Sequence, residues 1–229
     1  MKLFKVGINI ILFILIASNI LAQSTEMDGA PQYLFNSFSI GKVLLKNNNL
    51  ESVLINYNMV TEKIVFERNS ELLDMINLHT IDTIYLQDCK FIPVGNVFYE
   101  VIATSPLPLF IQYQAKLLHP DNIVGYGGTS GVSSPTHISN LQFSSGYYNN
   151  LQVSYDYNFK VETTLVYWMM KDTEILSFSN VKELGKHFPE KEEEIKTYIK
   201  KNRFKLEKKD DLIKIVKFID EMYNGYINI

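Results

Sequence analysis

Cysteine is almost missing from this chain: Cys89 is the only one in 229 residues, which excludes an intramolecular disulfide. An exported chain without such a staple must be held by its core alone. In "LQDCKFI" the thiol lies in a strand-like run, where a buried inert thiol is expected rather than a nucleophile. Lysine and arginine are absent from the whole stretch between Lys116 and Lys160. The formal charge of −3 lacks the basic excess that nonspecific phosphate binding needs, so no nucleic-acid partner is expected. The apolar run near the start, Ile8 to Ile16, falls short of the roughly 20 residues that cross a bilayer.

That run belongs to a three-part pattern. Lys2 and Lys5 precede it, and small or neutral residues lead from it to Ala22. This is the logic of a removable secretory signal, 1–22, with a mature start at Gln23. Removal takes away two lysines and moves the charge from −3 to −5 over the remaining 207 residues. Position 23 is glutamine, so no lipid-accepting cysteine follows the cut. The expected product is periplasmic or extracellular, with no membrane span after processing. A chain of this length can bury a real core.

Beyond a small, polar leader at 23–32, period-two patterning fills residues 33–118. "FSIGKVLLK", the turn "NNN" and "LESVLINYN" come first, with Val53, Ile55 and Tyr57 on one face. "EKIVFER" follows, and "ELLDMI" fits either a strand or one helical turn. "DTIYLQDCKFIPVGNVFYEVI" gives three short runs, with a hairpin signal at Gly95-Asn96. "LPLFIQYQAKLL" closes the region. After residues 119–160, "VETTLVYWMM" and "EILSF" resume strand character at 161–178 around Trp168. Short strands between turns predict an antiparallel meander or partial barrel.

Residues 179–229 read as helical. Asn180 with Glu183 resembles a capping box, and Pro189 suits a helix start. "EKEEEIKTYIKKN" places its acids first and its lysines last, complementing the macrodipole. Leu212, Ile215, Val216, Ile219, Met222 and Tyr223 form a stripe that Gly225 is placed to end. Lys196, Lys200, Lys201, Lys208 and Lys209 alternate with acids and read as a solvated face. The fold class is therefore α+β, an antiparallel β-rich body with a C-terminal helical cap.

Residues 119–160 form a Tyr/Gly/Ser-rich stretch, long for a loop in a compact domain. Its glycines are not followed by the lysine of a phosphate cradle. No strand-and-helix frame supports a dinucleotide turn, and the second glycine of a nucleophile elbow is missing after Ser130. His119, Ser130 and His137 keep a hydrolase reading open as the alternative, with Asp121 beside His119 as weak metal-ligand chemistry. The plain reading is a flexible connector, or tyrosines packed onto their own sheet, and a recognition reading stands beside it. Tyr126, Tyr147, Tyr148, Tyr155 and Tyr157 stand among small polar residues, the composition of adaptable binding loops. A glycan or an envelope protein would use such a surface.

Taken together, "GKVLLKNNNLESVLINYN", "DTIYLQDCKFIPVGNVFYEVI", "VYWMMKD" and "FPEKEEEIKTYIKKN" resemble an uncharacterised family of exported proteins of Bacteroidota-type bacteria. The resemblance covers most of the mature chain and implies export; it brings no catalytic residue or activity with it. The functional expectation is an exported, non-enzymatic binding or structural module of the cell envelope, without cofactor or metal.

Overall fold

In the computed structural model the described residues are 30–69, 71–105, 107–118, 160–171 and 173–224. Ten strands form one sheet: β1 (Ser39–Leu45), β2 (Leu50–Asn58), β3 (Lys63–Arg68), β4 (Glu71–Asp74), β5 (Ile81–Leu86), β6 (Cys89–Val94), β7 (Val97–Ala103), β8 (Leu109–Leu118), β9 (Lys160–Lys171) and β10 (Glu174–Phe178). The ambiguous "ELLDMI" supplies β4. Spatial order is β10-β9-β8-β7-β6-β5-β1-β2-β3-β4. The meander is thus double. One limb runs from β1 to β4, and the chain then returns through the 3-10 turn Leu78–Thr80 to pair β5 with the free side of β1. From β5 onward each strand pairs antiparallel with the next.

The turn residues explain the hairpins. Gln87-Asp88 and Gly95-Asn96 are two-residue connections, with left-handed φ of 51° at Gln87 and 61° at Gly95. In "NNN", Asn48 takes φ 66° and the Leu45 N–H donates to the Asn49 carbonyl at 2.8 Å. Alternation then sorts the faces. Ile55, Tyr57, Ile64, Ile84, Leu86, Phe91, Phe98, Leu109, Ile111, Tyr167, Met169 and Phe178 all point inward and are buried.

Three helices cover that inner face: α1 (Val181–Lys186), α2 (Glu192–Asn202) and α3 (Lys209–Asn224). The Asn180 side chain accepts from the Glu183 N–H at 2.9 Å, while Glu183 accepts from the Ser179 N–H at 2.7 Å, so the cap forms one residue longer than the standard box. The α3 stripe buries Leu212, Ile215, Val216 and Ile219 in the same core as the strands. Full burial of such a side chain contributes roughly 1.5–3 kcal/mol each. Gly225 lies outside the described residues. Among the described residues no helix is long and apolar enough to cross a membrane.

The outer face is divided. Over β2–β4 it is covered by residues 30–38, where Tyr33 and Phe38 meet edge to face at 5.1 Å above Val65 and Leu72. The Leu34 N–H donates to Tyr57 and the Gln32 carbonyl accepts from Met59. The fold therefore begins inside the expected leader, since Gln32 is only 2% exposed. Over β6–β10 no helix lies on the outer face among the described residues, and Val94, Met170 and Ile175 remain exposed there.

The sheet is curled but not closed, and two features make the curl. At Gly41 an added Cβ would lie 2.9 Å from the Tyr85 carbonyl oxygen and would also strike Ile55; only glycine permits that approach. The second feature is a split. The β7–β8 ladder runs only from Glu100↔Ile111 to Ala103↔Leu109, although β7 begins at Val97 and β8 continues to Leu118. The turn after β2 fills the gap. Phe98 donates its N–H to the Glu62 carbonyl at 3.2 Å, and Ala115 donates to Met59 at 2.8 Å. The Tyr57 hydroxyl lies 3.1 Å from the carbonyl oxygens of both Phe98 and Tyr113. Backbone groups that lost their strand partners are thereby satisfied.

Candidate functional site

The residues singled out from the sequence, His119, Ser130 and His137 for hydrolysis and Tyr126, Tyr147, Tyr148, Tyr155 and Tyr157 for recognition, lie outside the described residues. Their segment joins β8 to β9, where Leu118 pairs with Lys160. Functional groups within the described residues gather instead at the β7–β8 split, as two polar networks on opposite faces.

The inner network centres on Glu100, 2% exposed on β7. Its carboxylate accepts from the Tyr113 hydroxyl and the Lys209 ammonium, each at 2.5 Å. Lys209 also reaches Cys89 Sγ at 3.4 Å. The solvated-face reading of the C-terminal lysines fails at this position. Lys209 opens α3 and turns down onto the sheet, because a buried carboxylate needs a cation beside it. Lys196 does pair on its own helix, with Glu192 at 2.7 Å.

Proton affinities in this network run against reactivity. Burial, then the hydrogen bond to Glu100, pushes the Cys89 thiol up to about 11. Burial and the Glu100 charge hold the Tyr113 phenol far above its ordinary value. Burial alone would pull the Lys209 ammonium down, but its hydrogen bond to Glu100 and that residue's charge outweigh this and raise it. Thiolate, phenolate and neutral amine, the nucleophilic forms, are all disfavoured near neutral pH. The arrangement locks the start of α3 to the sheet. Cys89, expected to be buried, is only partly so.

The outer network starts at Glu62, in the wedging turn, which takes a left-handed φ of 57°. A non-glycine residue there is strained and stays only if its surroundings hold it. Here the carboxylate accepts from the Gln114 amide at 3.1 Å and from the Gln112 amide. Gln112 in turn accepts from Trp168 Nε1 at 2.8 Å. The Trp168 ring stacks on Tyr99, with centroids 5.6 Å apart and planes 17° from parallel. Burial and then the Glu62 charge raise the Tyr99 phenol, which keeps it a hydrogen-bond donor. Three strands and one turn thus fix an aromatic plate with an amide and carboxylate fringe. Both rings are half-buried.

No family model matches the chain, and neither a curated protein nor a solved structure matches it. Among the described residues no group of three or more His, Cys, Asp or Glu side chains is placed to hold a metal. The outer network escaped the sequence reading because its members are 106 positions apart at the extremes, Glu62 to Trp168. One local signal was present. In "LFIQYQ" the apolar inward face of Leu109, Ile111 and Tyr113 alternates with Phe110, Gln112 and Gln114. An amide pair on the outer face, near the only tryptophan in a paired strand, marks a place where polar side chains meet an aromatic.

Proposed function

We propose that the protein is an exported, non-enzymatic binding module of the cell envelope that meets its ligand on the outer face of β7–β9. The observation that carries the reading is the asymmetry of the sheet. The inner face is consumed by the helical cap, and its ionisable groups are held in unreactive forms. The outer face presents Trp168 and Tyr99, pinned by Gln112 and Glu62. Pre-set side chains of this kind lower the ordering cost of binding. The signal-like start supports the export half of the proposal. The tyrosine-rich composition of 119–159 supports recognition as well, since that segment connects the two strands bearing Gln112 and Trp168.

Co-sedimentation with washed envelope fragments of the producing bacterium tests this reading. The mature protein should pellet with the fragments, and Trp168→Ala should stay in solution with its circular dichroism unchanged. Equal pelleting of both forms would remove the outer face from the account, and no pelleting of either would remove envelope binding itself. Intact mass of protein from the native host checks export, with a first residue at Gln23 expected.

A further inference from the structure

We infer that the ligand of the outer face is a neutral saccharide chain, one of whose rings packs on the Trp168–Tyr99 pair while its hydroxyls meet Gln114 and Glu62. This deepens the binding reading above and rests on it. Three observations select the chemistry. The first is the shape of the aromatic pair. Two rings stacked 17° from parallel present a flat outer face, whereas capture of a quaternary ammonium uses rings arranged as a cage. Stacking on each other occupies one face of each ring and leaves the other free of its partner. A plate suits a flat, largely C–H surface, and the apolar side of a sugar ring is one.

The second observation is the fringe. Amide groups donate and accept, and a carboxylate accepts, so together they match hydroxyls, which also do both. After the Glu62–Gln112–Trp168 relay is formed, the partly exposed Gln114 amide nitrogen keeps a second proton and each Glu62 oxygen a second lone-pair direction, while the buried Gln112 positions Glu62 and Trp168. The third is charge. The one acidic group in the network is Glu62, which opposes phosphate, sulfate and uronate ligands. Its two oxygens already accept from two amides, which leaves it poorly disposed to hold a free cation. Among the described residues no helix covers this sheet face, so a chain can continue past the site toward the exposed Met170 and Ile175.

Trp168 is the only tryptophan, so its fluorescence reports this site alone. The test titrates the full mature protein with maltoheptaose, cellohexaose and chitohexaose, and separately with heparin, while following that emission. At least one neutral oligosaccharide should shift it saturably, and heparin should not. Tyr99→Ala, which keeps the reporter, should weaken the affinity about tenfold, the loss of one aromatic contact. Should that variant fail to fold, Glu62→Gln serves instead and should weaken binding several-fold through the relay. Silence with all three neutral probes, a response to heparin alone, or an affinity indifferent to both substitutions would each overturn the saccharide assignment. If the oligosaccharides are silent while envelope co-sedimentation still depends on Trp168, the ligand class is wrong and the binding face stands. Loss of that dependence would refute the face itself.

Discussion

The two networks at the β7–β8 split use similar side chains for opposite ends. On the inner face, Glu100 is surrounded by a phenol, an ammonium and a thiol, and a helix seals it from water. On the outer face, Glu62 is surrounded by two amides, and a half-buried aromatic pair stands beyond them. A buried carboxylate with a charged partner resists removal of that partner, because the survivor is left desolvated. A half-exposed carboxylate bonded to neutral amides can be hydrated when a partner is lost, so its network contributes little to folding. The contrast separates a network that holds the fold from one that contributes little to it, although a single wedge, Met59–Glu62, builds both.

The largest expected effect lies with the cap that seals the inner face. Ile219 is fully buried between α3 and the sheet, and Ile219→Ala should cost about 2–5 kcal/mol in denaturant unfolding. A loss below about 0.5 kcal/mol, typical of surface changes, would place that helix face in solvent. Lys209→Met comes next. It leaves Glu100 buried with only the neutral Tyr113 and Cys89 beside it, at a cost of about 2–3 kcal/mol. That is less than for a wholly buried pair, because the Lys209 side chain is itself 42% exposed.

A smaller effect follows from pH. The folded state raises the Cys89 thiol from 9.0 to about 11 and also raises the Tyr57 and Tyr113 phenols and the Lys209 ammonium. In each case the folded chain holds its proton more tightly than the unfolded chain. Stability is then full below the unfolded values and falls as pH rises through them. The loss should begin near pH 9, where the unfolded thiol titrates, and deepen above 10, the ordinary phenol value. The half-buried thiol alone accounts for on the order of 1 kcal/mol of it after solvent screening. Urea midpoints measured across the alkaline range check the slope. Cys89→Ala should flatten its first part, and an unchanged slope would show that the thiol does not sense folding.

Most of the fold was legible because its signals are local. The alternation in "LESVLINYN", the Gly95-Asn96 hairpin and the α3 stripe each declare themselves within ten residues or so. The double meander was not, since nothing in "MINLHTID" states that β5 returns to β1 rather than pairing with β4. Nor was the split, which depends on the Tyr57 hydroxyl reaching two carbonyls 41 and 56 positions away. The two polar networks were illegible for the same reason. Lys209 looked like its exposed neighbours because its partner Glu100 stands 109 residues earlier. Composition drew attention to the tyrosines of 119–160, while the plate of Trp168 and Tyr99 is assembled from strands whose own sequences read only as sheet.

The smallest expected change closes the comparison. Trp168→Phe keeps an aromatic ring and deletes the donor to Gln112, so the outer network is cut with little loss of packing. Unfolding in urea, followed by circular dichroism, should place this variant within about 1 kcal/mol of the parent. Run beside it, Lys209→Met should lose at least twice as much, because the inner network holds the fold and the outer one does not. A Trp168→Phe protein as destabilised as Lys209→Met, or more so, would contradict the division of labour between the two faces.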